Sequence, residues 1–139
     1  MKMIGVLIIT HGNLARELVE AAKIIVGDVE KTQYVSIGWD DDAKEARKKV
    51  EDAAHKLDEG EGVIILTDMF GGTPTNISLS FLSQGKIEVL TGVNLPMVIK
   101  TLHLQKEKTS LLDLAHQVQE NGRKSIYVAS EILSTEITK

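Results

Sequence analysis

Two side chains of this 139-residue sequence have types and positions that could do chemistry together. His11 follows an apolar run from Met3 to Ile9, and Asp68 follows a second run from Gly62 to Leu66. A carboxylate that accepts the proton of one imidazole nitrogen fixes the tautomer and leaves the other nitrogen with a free lone pair. If the two are neighbours, His11 is a candidate nucleophile and Asp68 is the group that orients its imidazole.

The segment Gly71-Gly72-Thr73-Pro74 adds a candidate anion-binding turn. Two glycines let backbone N–H groups approach an anion, and Pro74 suits the first turn of a helix, whose positive end favours a phosphate. Thr73, as the predicted N-cap of that helix, offers a hydroxyl. Alone, these residues are an ordinary loop-to-helix turn. Beside a histidine and an aspartate, they indicate a histidine that carries a phosphoryl group.

Other chemistries have weaker signals. A metal site built from His11, Asp68 and Asp40–Asp42 has too few histidines at ligand spacing, so no metal and no cofactor are predicted. The acidic trio is better explained as the N-terminal flank of a helix. The sequence has no Walker motif, no Gly-x-Gly-x-x-Gly and no Gly-x-Ser-x-Gly. Three further histidines fall within helical patterns and could at most supply a second relay group: His55, His103 and His116.

Short apolar runs that alternate with helical patterns must position these groups. Such alternation predicts βαβ units and one doubly wound, mostly parallel α/β sheet with helices on both faces. We expect strand order 2-1-3-4 and a fifth, C-terminal strand. In this order the first and third strands are neighbours, which brings His11 and Asp68 together at the carboxyl edge of the sheet. The predicted strands are 3–9, 34–37, 62–66, 87–90 and 125–129.

The helix boundaries are marked by capping residues and stops. The first helix is expected to stop at Gly27 and the second to start after Asp42 and end near Gly60. The third is predicted to start at Pro74 and to include Ile77, Leu79, Phe81 and Leu82. Asn94 caps the fourth, with Pro96 just inside it; Thr109 or Ser110 caps the fifth, which Gly122 closes.

Composition excludes several classes of protein. The absence of cysteine excludes disulfide scaffolds, Cys-ligated zinc, iron–sulfur clusters and thiol catalysis. A net charge of −4 and only five aromatic residues argue against nucleic acid as a ligand. No run reaches the roughly 18 apolar residues of a membrane helix, so a cytoplasmic protein is expected. We predict one domain over residues 1–133, followed by a polar tail, 134–139.

Three segments in order resemble the enzyme IIA domain of the mannose-family sugar phosphotransferase system. They are Ile8-Ile9-Thr10-His11-Gly12, Asp68-Met69-Phe70-Gly71-Gly72-Thr73-Pro74-x-Asn76 and Thr91-Gly92-Val93-Asn94-Leu95-Pro96-Met97. The resemblance covers Met3 to about Tyr127. It implies that His11 accepts a phosphoryl group from the phosphocarrier HPr and passes it to enzyme IIB for sugar uptake. Asp68 would then hydrogen-bond the imidazole, and Gly71, Gly72 and Thr73 would hold the phosphate.

The resemblance also bears on partners and assembly. It implies a homodimer in which the strand 125–129 is exchanged, and only indirect association with membrane subunits. Met69 and Phe70 could form the rim where HPr and enzyme IIB dock, with burial in the core as the competing interpretation, whereas Met97 is expected in the core. Because the chain ends at Lys139, we expect enzyme IIB to be a separate polypeptide. The Trp39–Asp42 loop matches no motif of the family.

Three other functions remain open at this point. The same phosphohistidine could serve a regulatory module that signals to a partner without sugar transport. A phosphoryl-donor subunit of dihydroxyacetone kinase is a second alternative, although such chains usually carry extra domains for which this one has no room. A small hydrolase using His11 and Asp68 is a third, but no obvious Ser or Cys nucleophile accompanies them.

Overall fold

A computed structural model describes residues 2–137. The strands are β1 (Gly5–His11), β2 (Thr32–Ile37), β3 (Val63–Thr67) and β4 (Ile87–Leu90). The helices are α1 (Leu14–Val26), α2 (Ala43–Leu57), α3 (Thr73–Leu79), α4 (Leu95–Gln105), α5 (Leu111–Lys124) and α6 (Ala129–Ile137). The four strands form one parallel sheet in the order β2-β1-β3-β4, as the sequence predicts.

The two central strands are buried on both faces because helices cover both sides of the sheet. Val6 and Ile8 of β1 pack in one hydrophobic cluster with residues of α1, α4 and α5. Leu7 and Ile9 point the other way, into a second cluster with residues of α2 and α3. This two-sided burial explains why the central strands are uninterrupted apolar runs in the sequence.

The predicted N-caps of α2, α4 and α5 are confirmed, because a polar side chain accepts a backbone hydrogen bond at the start of each helix. Asp42 accepts a hydrogen bond from Lys44 N at 2.9 Å, and Asn94 accepts one from Met97 N at 2.9 Å. Of the two candidates for α5, Ser110 is the cap: its hydroxyl accepts from Asp113 N at 3.2 Å. Gly27 closes α1 with φ at +87°, a conformation that favours glycine.

Helices α3 and α5 differ from their predicted limits. Helix α3 ends at Leu79, so Phe81 and Leu82 lie beyond it. The N–H groups of residues 80–82 donate to carbonyls three residues earlier, as in a 3₁₀-helix, instead of four residues earlier as in an α-helix. Helix α5 continues past Gly122 to Lys124. This glycine has a packing role instead, because a Cβ there would lie 2.6 Å from Met97 Cγ of α4.

The C-terminal segment differs most from expectation. Residues 126–128 pair with no strand in the described part of this single chain, and their side chains are 77%, 68% and 60% exposed. The predicted strand 125–129 is therefore wrong for the isolated chain, since Ala129 already begins α6. Strand exchange requires a second chain and stays a prediction. The predicted tail, 134–139, begins inside α6; residues 138 and 139 lie outside the described residues, as does Met1 of the predicted domain.

Among residues 2–137, no helix is both long enough and apolar enough to cross a bilayer.

Candidate functional site

The sheet order brings His11 and Asp68 into direct contact. His11 is the last residue of β1, and Asp68 comes just after β3, whose Thr67 is in register with Ile9. His11 Nδ1 lies 2.7 Å from Asp68 Oδ2, and the backbone N–H of His11 donates to the same oxygen at 3.0 Å. The His11 side chain is 48% exposed and that of Asp68 only 14%. The imidazole is therefore accessible to a reactant, while its carboxylate partner is largely covered.

The electrostatics of the pair determine which imidazole nitrogen is free. Burial raises the pKa of Asp68. The side-chain and backbone hydrogen bonds from His11, together with the charge of its ring, lower this pKa by more, so the pKa of Asp68 lies below its ordinary value of 3.8. Asp68 is therefore ionised at neutral pH and can only accept hydrogen bonds. In the neutral imidazole, Nδ1 must therefore carry the proton, which leaves the lone pair on Nε2.

The glycine turn lies against that free nitrogen. A Cβ at Gly72 would lie 3.1 Å from His11 Cε1 and 3.2 Å from Nε2, closer than ordinary contact. Gly72 has φ 83° and ψ 170°, and it is the N-cap of α3, so the prediction that Thr73 is the cap is wrong. Thr73 is instead the first helical residue, followed by the predicted Pro74. Gly71 has a φ of +90° and open space at its Cβ position.

A pocket of 150 Å³ opens beside the imidazole. Its lining combines the end of β1, the loop after β2 and the start of α3: His11, Gly12, Ile37, Gly38, Trp39 and Thr73. Of the predicted anion-binding residues, Gly72 and Thr73 therefore lie beside the accessible ring of His11.

Buried threonines that sequence reasoning missed hold the loops of the site. The hydroxyls of Thr67 and Thr75 are 2.8 Å apart, and Thr75 Oγ1 donates to the carbonyl of Met69. Because each hydroxyl has one proton, Thr67 must donate to Thr75. On the other side, Thr10 Oγ1 accepts from Ala15 N at 2.7 Å, which ties the start of α1 to β1. The available signal was position: Thr10 and Thr67 each precede one of the two site residues.

The remaining predicted residues divide between surface and core. Met69 is 54% and Phe70 76% exposed, so the core interpretation of Phe70 is wrong. Met97 is buried, as expected. The other three histidines are exposed on α2, α4 and α5: His55, His103 and His116.

The acidic trio has a structural role at the start of α2. Asp42 caps the helix, and Asp41 Oδ2 accepts from Gly38 N at 2.8 Å. Among residues 2–137, no group of three or more His, Cys, Asp or Glu side chains is arranged to hold a metal ion.

Proteins of the phosphotransferase system share this arrangement of strands and helices. The structure matches that of phosphotransferase system component EIIA from Streptococcus agalactiae with a TM-score of 0.84, at 24% identity over 93% of this chain and 99% of that one. This similarity shows the fold.

The sequence comparisons show the family. Residues 5–119 match the EIIA-man family model, described as PTS system fructose IIA component. The chain is 31% identical to the PTS system fructose-specific EIIA component of Bacillus subtilis over 94% of this chain and 90% of that protein. It is also 31% identical to the mannose-specific EIIAB component of Escherichia coli, of which it spans 38%. The protein belongs to the EIIA-man family of phosphotransferase system IIA components, which confirms the resemblance found in its sequence.

Proposed function

We propose that this protein is the phosphoryl-relay IIA component of a sugar phosphotransferase system, in which His11 accepts a phosphoryl group from phospho-HPr and passes it to enzyme IIB. The observation that carries the proposal is the 2.7 Å contact between His11 Nδ1 and Asp68 Oδ2, which leaves Nε2 free on an accessible ring. The relay operates in the cytoplasm and meets the membrane subunits only through enzyme IIB.

In the first step, the Nε2 lone pair of His11 attacks phosphorus in line with the phosphohistidine bond of the donor. The new Nε2–P bond forms as the donor P–N bond breaks, and the donor imidazole takes back that electron pair. Such a transfer asks the protein mainly for positioning and charge stabilisation. Asp68 fixes the ring and stays ionised, so it also balances the positive charge that develops on the imidazole.

The transferred phosphoryl group lies between His11 and the glycine turn. The backbone N–H groups of Gly71 and Gly72 and the hydroxyl of Thr73 are the donors we assign to its oxygens. The close approach of Gly72 to Nε2 supports this assignment, because a side chain there would occupy the space beside the reacting nitrogen. The reaction needs no metal, since these donors and the two imidazoles supply every group that the transfer uses.

Both partners must dock at the same histidine. Met69 and Phe70 follow Asp68 and expose apolar surface directly beside the site, which supports a role in contacting HPr and enzyme IIB.

The test is phosphoryl transfer from phosphoenolpyruvate through enzyme I and HPr, followed by intact mass. We expect one acid-labile, base-stable phosphoryl group on the wild type and on His55→Ala, a control that removes another exposed histidine, and none on His11→Ala. Addition of enzyme IIB should then remove the group from the wild type. Absence of transfer to folded wild type, with active carriers, would refute the proposed function; a phosphorylated protein that keeps its group with enzyme IIB would favour a regulatory role.

A further inference from the structure

The side chain of Trp39 is fully exposed, although tryptophan is among the largest apolar side chains. It lies in the loop between β2 and α2 and lines the pocket that contains His11. The indole makes no contribution to either of the two hydrophobic clusters among the described residues. Its apolar surface is therefore available for contact with another molecule.

The order of the strands places Trp39 on the opposite side of His11 from Met69 and Phe70. Strand β1 lies between β2 and β3, so the loop after β2 flanks the end of β1 on one side and the loop after β3 flanks it on the other. Each loop exposes large apolar side chains. A protein that brings a phosphoryl group to His11 therefore meets apolar surface on both flanks of the histidine.

The turn that carries Trp39 is held in shape and is acidic. The Asp41 carboxylate accepts from Gly38 N, and Asp42 caps α2, so the loop is tied at both ends by its own side chains. Asp40, Asp41 and Asp42 are all exposed. An exposed indole beside three carboxylates, on a turn whose backbone is held by hydrogen bonds, favours a partner with an apolar contact and Lys or Arg side chains. Complementary charge guides docking, and a preordered loop backbone loses little entropy on binding.

We propose that Trp39, with the acidic turn Asp40–Asp42, is a docking surface for the phosphorylated donor protein. The donor is the occupant we assign because this surface is continuous with the pocket of His11, where the donor must deliver its phosphoryl group. The inference rests on the proposed function. It assigns to the donor a basic face, with an apolar centre, around its phosphohistidine.

The experiment compares two routes to the same phosphohistidine. His11 is phosphorylated either by phospho-HPr or by phosphoramidate, a small donor that needs no protein docking, and the ratio of the two rates is measured below saturation. We expect Trp39→Ala to lower this ratio at least tenfold, the loss typical of a central apolar contact, and Trp39→Phe to restore most of it. Asp40→Lys should lower it as well and weaken its dependence on salt. Asp40 is chosen because the other two aspartates also cap backbone N–H groups.

The matched control is Ile24→Ala. Ile24 is 87% exposed but lies about 15 Å along α1 from its start at Leu14. Its removal should leave the ratio at the wild-type value. A wild-type ratio in Trp39→Ala would overturn the docking surface while leaving the proposed function intact. Loss of a dimer in Trp39→Ala at an unaltered ratio would overturn it too, because the occupant would then be a second copy. No transfer from phospho-HPr to the wild type would instead refute the proposed function.

Discussion

Replacement of Gly72 by alanine tests how tightly the glycine turn positions the reactive imidazole. The new Cβ would lie 3.1 Å from His11 Cε1 and 3.2 Å from Nε2, whereas ordinary contacts begin at 3.4 Å. The ring must therefore move by a few tenths of an ångström or the turn must open. Movement of the ring disturbs the 2.7 Å hydrogen bond between Nδ1 and Asp68, which holds the ring from its other side, whereas opening of the turn moves the Gly72 backbone away from Nε2.

Alanine at position 72 should have two separate effects, one on the free energy of unfolding and one on the rate of phosphoryl transfer. Gly72 has φ 83° and ψ 170°, a region essentially reserved for glycine, so alanine should lower the free energy of unfolding by about 1–3 kcal/mol. Misplacement of a reacting group by about 1 Å can slow a reaction about 100-fold, so a shift of a few tenths of an ångström corresponds to about 3- to 10-fold.

Gly71→Ala is the variant that separates the effect on stability from the effect on the rate of transfer. Gly71 also has a positive φ, +90°, but nothing lies within 4 Å of its Cβ position. Both variants should therefore unfold more easily than wild type, and only Gly72→Ala should press on the imidazole. The assay is denaturant unfolding of each variant, together with the initial rate of phosphorylation by phospho-HPr at a temperature where both are fully folded.

We expect transfer to Gly72→Ala to be at least threefold slower than transfer to Gly71→Ala. Equal rates in the two folded variants would show that contact between Gly72 and the ring does not position Nε2, and the argument from the glycine turn would fail.

Three further predictions follow from the hydroxyl pair, the lowered pKa and the exposed C-terminal segment. Thr75→Val, which keeps the shape but removes the donor to the Met69 carbonyl, should slow transfer at saturating donor at least threefold, and Thr75→Ser should recover it; equal rates in the two variants would rule out positioning through this hydroxyl. Because the folded-state pKa of Asp68 is depressed, its contribution to stability should be present above the ordinary value of 3.8 and be lost as the pH falls through the lower folded-state pKa. Unfolding of wild type and Asp68→Asn across acidic pH checks this, and a stability difference that widens on acidification would contradict the sign. Finally, Tyr127→Asp should shift the molar mass measured by light scattering from dimer to monomer; a wild-type monomer at high concentration would refute strand exchange.

The sequence allowed the four strands of the sheet to be predicted because burial leaves a direct mark on composition, and their order followed from the usual topology of doubly wound sheets. Strands β1 and β3 are covered on both faces, so they appear as apolar runs without alternation, and the site residues lie at their carboxyl ends. The caps were predictable because they are local interactions: Asp42 and Asn94 accept hydrogen bonds from backbone N–H groups two and three residues away. Interactions that stay within one turn of chain are visible in the order of residues.

The contacts that shape the loops of the site were not predictable in this way. Thr67 and Thr75 meet across eight positions of sequence, and nothing in a single threonine says that its hydroxyl is buried against a carbonyl. The N-cap of α3 was missed because Thr73 is a favourable capping residue, yet the close approach to His11 selects Gly72 for that position. Both the hydroxyl contact and the choice of N-cap depend on tertiary contacts, which the local preferences of single residues do not indicate.

The C-terminal segment has a β-strand pattern that the single chain does not use. Residues Ile126-Tyr127-Val128 have the composition of a buried strand, and yet all three are largely exposed in the single chain. Ile126 lies in a groove with Leu90 and Thr91, at the end of the edge strand β4. Among the described residues, the outer side of β4 is paired only at Ile87, by an isolated bridge to Ser83. An exposed apolar segment and an open edge strand are each unfavourable alone, and pairing between two chains would satisfy both. The β-strand pattern at 125–129 is therefore explained if the segment is selected for a sheet that a second chain completes.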